Sequence, residues 1–288
     1  MTSSSTSTES IDIVLKKAGK DALGGGIPGM VAMMAQVSTL MWLRTTINYQ
    51  YRYGVTTTQA FKKLYHDGGI PRFYRGYSAA IVQGPLSRFG DTAANTGVFS
   101  LLDQYPITKD MPIFIKTGFA SITASVFRIL LMPIDTVKTI MQVEGSRGIA
   151  TLKGKMQTSG SKVLFHGAMA ASVATLVGHY PWFATYNYLN YRIQVPNDPK
   201  EKLMRNAFIG FVSSIVSDTC SNSVRIVKTT RQTIHEETSY TKIIKMILER
   251  DGWSGLFGRG LKTKIITNGV QGMLFSVYWK MGQDYLKK

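Results

Sequence analysis

Asp67-Gly-Gly-Ile-Pro-Arg-Phe-Tyr-Arg-Gly76 returns late in the chain as Asp251-Gly-Trp-Ser-Gly-Leu-Phe-Gly-Arg-Gly260. A weaker copy, Val163-Leu-Phe-His-Gly167, lies between them. The copies are about 90 residues apart, a longer period than common solenoid units have. A second element precedes each copy. It is clearest as Pro133-Ile-Asp-Thr-Val-Lys-Thr-Ile-Met-Gln142. Its relatives are Thr39-Leu-Met-Trp-Leu-Arg-Thr-Thr-Ile-Asn48 and Ser223-Val-Arg-Ile-Val-Lys-Thr-Thr-Arg-Gln232. Arg44, Lys138 and Lys228 align, each followed by Thr. Two elements recurring in one order, three times, mark a threefold internal duplication.

Pro-x-acid-x-x-base, then a short amphipathic helix, then acid-Gly, aromatic and base-Gly, resembles the signature of the mitochondrial carrier family. The resemblance covers nearly everything after the Ser/Thr-rich start. It implies an all-α membrane protein with six transmembrane helices in three pseudo-threefold repeats, joined by short matrix helices. The spans fall near 22–50, 77–103, 112–142, 168–193, 203–232 and 261–286. Short helices are expected near 57–66 and 239–249, with a weaker one near 151–164. In 239–249, Ile243, Ile244, Ile247 and Leu248 share one helical face. The organisation is a disordered tail over 1–18 and repeats over 19–106, 107–196 and 197–288.

Composition agrees. Thirty-four Lys and Arg against 17 Asp and Glu give a net charge of +17, which suits a polyanionic partner: an anionic solute, anionic lipid or nucleic acid. The bases are spread over all repeats without a nucleic-acid reading motif, so no nucleic-acid partner is expected. No run of about 18 uninterrupted apolar residues occurs. The spans instead mix apolar residues with Ser, Thr, Gly and a few charges, as helices do between lipid and a watery path.

Cys220 is the only cysteine, so no disulfide or cysteine zinc site forms within one chain. His66, His166, His179 and His235 lack metal-ligand spacing. No cofactor is expected, and no nucleophile elbow, H-E-x-x-H or P-loop marks an enzyme. Gly24-Gly-Gly-Ile-Pro-Gly29 matches G-x-G-x-x-G, but no strand precedes it. The Ser/Thr-rich start shows no cleavable targeting signal. Two of the three long links are basic, which places them on the matrix side by the positive-inside bias.

The resemblance implies the following site residues. Pro133 should bend its helix, and three such bends narrow the matrix end of the path. Asp135 should meet Lys228 in the matrix gate, which also takes in Lys138, Arg44, Arg225, Gln142 and Gln232. The Pro and acid positions read Thr39 and Met41 in repeat one, and Ser223 and Arg225 in repeat three. Four bases and one acid therefore converge. The opposite-side latch lacks its acids at Phe99-Ser100, Tyr186-Asn187 and Tyr278-Trp279. Arg128 and Asp218 should contact solute, or pair with each other. Gln83, Thr175 and Asn268 are the solute positions on the even helices. Arg75-Gly76, Gly167 and Arg259-Gly260 should hold cardiolipin phosphates at helix starts.

The implied function is alternating-access transport of a small anionic or zwitterionic solute across the inner mitochondrial membrane. The damaged latches raise an alternative: a degenerate carrier serving as a structural subunit of a respiratory-chain complex.

Overall fold

The computed structural model describes residues 11–234, 236 and 238–271, and the described part is helical throughout its long elements. Helix α1 (Ile11–Tyr53) and α4 (Tyr77–Gln104) form the first hairpin, joined by α2 (Thr57–His66) and α3 (Gly69–Phe73). Past α5 (Pro106–Lys109), the second hairpin is α6 (Ile113–Leu130), α7 (Met132–Glu144), the link helix α8 (Gly148–Ser159) and α9 (Ala168–Arg192). The third is α10 (Pro199–Thr233), the link helix α11 (Tyr240–Gly258) and α12, helical over 261–271.

The helices follow one another around a ring. Helix α4 packs between α1 and the α6–α7 pair, α9 between α6 and α10, and α10 returns to α1. Helix α12 closes the circle. Its Asn268 reaches Asp218 of α10, and its Gln271 reaches Gln36 of α1.

The expected all-helical fold is observed among the described residues, with corrections in detail. Residues 11–18 are helical, so α1 starts inside the expected tail. The run Gly24–Gly29 is also helical and makes no phosphate loop. Pro133 ends one helix and begins the next: α6 stops at Leu130, and Pro133 sits in the first turn of α7, where its missing N–H costs nothing. Repeat one kinks without proline, at Leu40 (φ −115°, ψ 17°). Repeat three does not break. Helix α10 runs 35 residues through Ser223, the position that lost its proline. The three-bend expectation is therefore wrong for repeat three. Residues 272–286 of the sixth span, Tyr278-Trp279 and His235 lie outside the described residues.

The helices are amphipathic the wrong way round for water. On α6, Ile115, Phe119, Ile122, Val126 and Leu130 point outward, while Thr117, Ser121 and Ser125 are buried. On α10, Met204 and Phe208 are exposed, while Ser213, Ser217, Asp218, Ser221 and Asn222 are buried. An apolar exterior around a polar interior is what lipid selects. In α6 the mean hydropathy over 18 residues is 1.5, enough for one span.

The links are dry instead. Ile47, Tyr51, Ile226, Val227, Ile243, Ile247 and Leu256 form a buried cluster under α11, with Ile244 and Leu248 against its edge. This is the face that the spacing predicts. Helix α2 begins with a capping box: Thr56 and Gln59 satisfy each other's backbone N–H groups.

Each link also docks on the first helix of the next repeat. Buried Arg72 donates to the carbonyls of Gln142 (2.9 Å) and Val143 (2.7 Å) at the end of α7. Buried Lys155 donates to the Gln232 carbonyl at the end of α10 (2.8 Å). Buried Arg259 donates to the Tyr51 carbonyl at the end of α1 (3.2 Å). The last carbonyls of a helix lack intrahelical partners and form the negative end of its dipole, so a cation there satisfies both needs.

The repeat glycines make the same circuit. Gly76 (φ +81°) lies against Lys138 and Met141, Gly167 (φ +89°) against Lys228 and Gln232, and Gly260 (φ +67°) against Ile47 and Tyr51. A Cβ on Gly76 would stand 3.0 Å from both the Lys138 carbonyl oxygen and Met141 Cβ, on a backbone that L-residues avoid. Gly76→Ala should therefore cost about 1–3 kcal/mol. Gly154→Ala, with nothing within 4 Å of the new methyl inside α8, should be neutral or stabilising. Thermal unfolding of the purified variants reads the contrast; equal midpoints would refute it.

Candidate functional site

Asp135 is the hub of the interior. It is buried, and charge alone would make that expensive. Two lysines compensate: Lys138 at 2.6 Å, one turn on along α7, and Lys228 at 2.5 Å, from α10. Gln232 adds a donor at 3.1 Å and a second contact to Thr136. The expected pair across neighbouring repeats is therefore formed, and both gate glutamines bridge repeats. Gln142 accepts from Asn48, its aligned residue on α1, at 2.5 Å and reaches Met41 Sδ.

The rest of the ring departs from the sequence reading. Lys138 also donates to Gln83 (2.8 Å). Gln83 is buried at the gate, so its expected place as a solute contact is corrected to a brace for Lys138. Arg44 has no carboxylate within ion-pair distance among the described residues; its Nη2 lies 3.6 Å from Met33 Sδ, and its Nε is buried without a partner. Arg225 is 3.9 Å from Asp218 and hydrogen-bonds Ser221. Asp218 accepts from Asn268 at 2.5 Å, which brings two predicted solute residues together.

The sequence reading missed Lys264. It lies one turn before Asn268 on α12, within electrostatic reach of Asp218, Arg225, Arg44 and Lys138. Its signal was plain: a lysine inside an expected span. Five bases (Arg44, Lys138, Arg225, Lys228 and Lys264) thus share this level with two acids, Asp135 and Asp218.

Arg128 does not pair with Asp218. It meets Asp91 of α4 at 2.6 Å, and the two side chains are 27% and 20% exposed within the bundle. Asp91 too was a charge inside a span, passed over in the sequence. Thr175 bonds its own helix, at the Ala171 carbonyl. At the end away from the links, Ser100 donates to Asp21, and Lys116 pairs with Asp103 at 2.5 Å.

The implied lipid residues divide. Arg75 is exposed, and its side chain makes no hydrogen bond or ion pair among the described residues. Arg259 is buried, held by Asp251 and the Tyr51 carbonyl, and is not available to a phosphate. The contacts in the link region also move ionisation. Burial, aided by repulsion from Arg52 and Arg231, pushes Lys155 down to about 8. Burial likewise lowers Arg72 and Arg259.

Asp135→Asn would strand two half-buried lysines. Losing one partner of a buried pair costs about 3–5 kcal/mol, so a large fall in the thermal midpoint is expected. The Asp135→Ala, Lys228→Ala double variant should lose less than the sum of its singles. Additive losses would show that the two charges do not interact.

The family model described as mitochondrial carrier protein matches residues 110–195 and 199–288. An uncharacterized mitochondrial carrier of Schizosaccharomyces pombe is 26% identical over 287 residues, covering 91% of each chain. The mitochondrial RNA-splicing protein MRS4 of Saccharomyces cerevisiae is 26% identical over 135 residues, 44% of each chain. Duplicated hairpins, a polar interior under an apolar shell, one intact latch of the family type and these matches agree: the chain belongs to the mitochondrial carrier family.

Proposed function

We propose that this carrier moves a small anionic or zwitterionic metabolite across the inner mitochondrial membrane by alternating access, with the links on the matrix side. The observation that carries the reading is the excess of three positive charges at the level of the gate. Like charges a few ångströms apart repel by roughly 2–4 kcal/mol at an effective dielectric of about 20. Three of these bases keep some exposure: Lys138 17%, Lys228 20% and Arg225 36% of the side chain. Water therefore reaches the interior, and an anion can follow.

Asp135 with Lys138 and Lys228 closes the matrix end, and Gln232 braces the closed form. Opening must separate Lys228 from Asp135. An anion held by Arg44, Arg225 and Lys264 lowers the repulsion that otherwise strains the ring, which ties occupancy to the gate. Asp218 and Asn268 supply the polar contacts that orient the solute, and the Arg128–Asp91 pair lines the wider part of the path. Arg75, beside the start of α4, is the cation left for a cardiolipin phosphate.

Proteoliposomes test this directly. Saturable exchange of at least one member of a panel of carboxylates, phosphate, nucleotides and amino acids is expected. Lys264→Gln and Arg44→Gln should each lower uptake about tenfold at sub-saturating solute, the effect of about 1.4 kcal/mol. No saturable flux with any member, in protein that unfolds cooperatively, would defeat the proposal.

A further inference from the structure

His179 has no part in the latch or in the solute contacts. It lies on α9 one turn beyond Thr175, where its ring packs on Phe183 at 4.7 Å between centroids. Its Nδ1 is 2.7 Å from Ser121 Oγ of α6. The same hydroxyl is 2.7 Å from the Thr117 carbonyl oxygen, which can only accept. A serine hydroxyl has one proton. With that proton given to Thr117, Ser121 Oγ must accept from Nδ1–H. The neutral ring is thereby fixed as the Nδ1–H tautomer, and the lone pair falls on Nε2. Nε2 makes no hydrogen bond among the described residues and is not among the sealed, unpartnered atoms.

The charged groups that act on the ring come from α4 and α6. Asp91 and Arg88 of α4 and Arg128 of α6 lie within electrostatic reach of the ring. Helix α4 packs on α1, α6 and α7, so its charges are felt by α9 across the bundle. Asp91 and Arg128 are partly exposed there, so water reaches the pair. From α10, the other neighbour of α9, Ser217 donates to the Gly178 carbonyl and Ser214 accepts from the Trp182 indole N–H, with no charged group in reach among the described residues.

We propose that His179 Nε2 is a proton-binding site on the interior path, and that a proton taken up there accompanies the anionic solute. The second half rests on the transport reading above. The arithmetic is simple. With the ring neutral, Arg88, Arg128 and Asp91 leave one net positive charge around it, so the ring takes a proton most readily when an anion is bound. Adding a proton to Nε2 makes an imidazolium and adds one positive charge, which favours one more negative charge on the solute. By reciprocity a bound anion favours the proton. Imidazole is the ordinary side chain for such a change between about pH 5 and 8.

Two measurements on the full-length protein test it. Nitrogen-15 NMR of histidine-labelled protein, assigned by loss of the signal in His179→Gln, should show a neutral ring protonated on Nδ1. Ser121→Ala should release that preference, and acidification should protonate Nε2. A neutral ring carrying its hydrogen on Nε2, or one that takes no proton above about pH 5, overturns the site. In proteoliposomes, anion uptake should rise several-fold from about pH 8 to about pH 6 outside, with acidification of a trapped dye. His179→Gln should flatten both responses. Flux with an unchanged pH profile in His179→Gln overturns the coupling and leaves the carrier function standing. Absence of any anion flux removes the transport reading and the coupling with it, while the NMR titration still decides whether Nε2 holds a proton.

Discussion

A cation from each link, buried against the carbonyl end of the next repeat's first helix, is the contact on which the rest depends. Arg72 reaches α7, Lys155 reaches α10 and Arg259 reaches α1, so the chain of contacts returns to its start. Gly76, Gly167 and Gly260 run the same circuit through close approach. A lone hairpin would leave those carbonyls and that dipole end unmet, and its polar face open to lipid. No repeat is complete without both neighbours. Burying a cation here has a cost, seen in Lys155 pushed down to about 8. The helix-end carbonyls offset it, since they would otherwise be unsatisfied in a dry place.

That circuit sets where the first helices end, and so where the gate residues meet. The gate itself is lopsided. A threefold latch spreads charge over three pairs, whereas here one carboxylate serves two lysines. The same two losses give different backbones in two repeats. Repeat three lost both, and α10 runs straight through the site. Repeat one lost both and still kinks at Leu40. Backbone shape therefore follows packing as well as proline.

Much of this was legible in the sequence, for physical reasons. Repeated elements set the hairpins, because aligned residues of duplicated units must occupy equivalent places, and the resemblance of the motif around Pro133 to the family's paired Asp135 with Lys228. Helix starts at Tyr77 and Ala168 followed from their glycines. Partners that depend on a side chain's reach were not legible. Gln83 was counted toward the path, yet a lysine from the next repeat claims it. Arg259 looks like Arg75 in its motif, but Asp251 sits close enough to hold it. Asp91 and Lys264 fall outside every repeated element, so only their charge inside a span marked them. The start of α1 at Ile11 was obscured by the Ser- and Thr-rich residues before it.

The missing acids give the gate and the solute a shared electrostatic problem. In a latch with full complement, closure needs nothing from the solute. Here Asp135 neutralises one of its two lysines, and Asp218 stands off from Arg225 by 3.9 Å. Three positive charges are then left to water or to an anion. Water screens them while the path is open, but narrowing the path removes water and strengthens the repulsion. An anion is most valuable to the protein at that moment, when the ring is tight and solvent is leaving. Under the proposed transport cycle, losing acids from the latch would make complete closure depend on cargo. In that proposed cycle an empty carrier closes less easily than a loaded one, because the unpaired positive charges repel as water leaves.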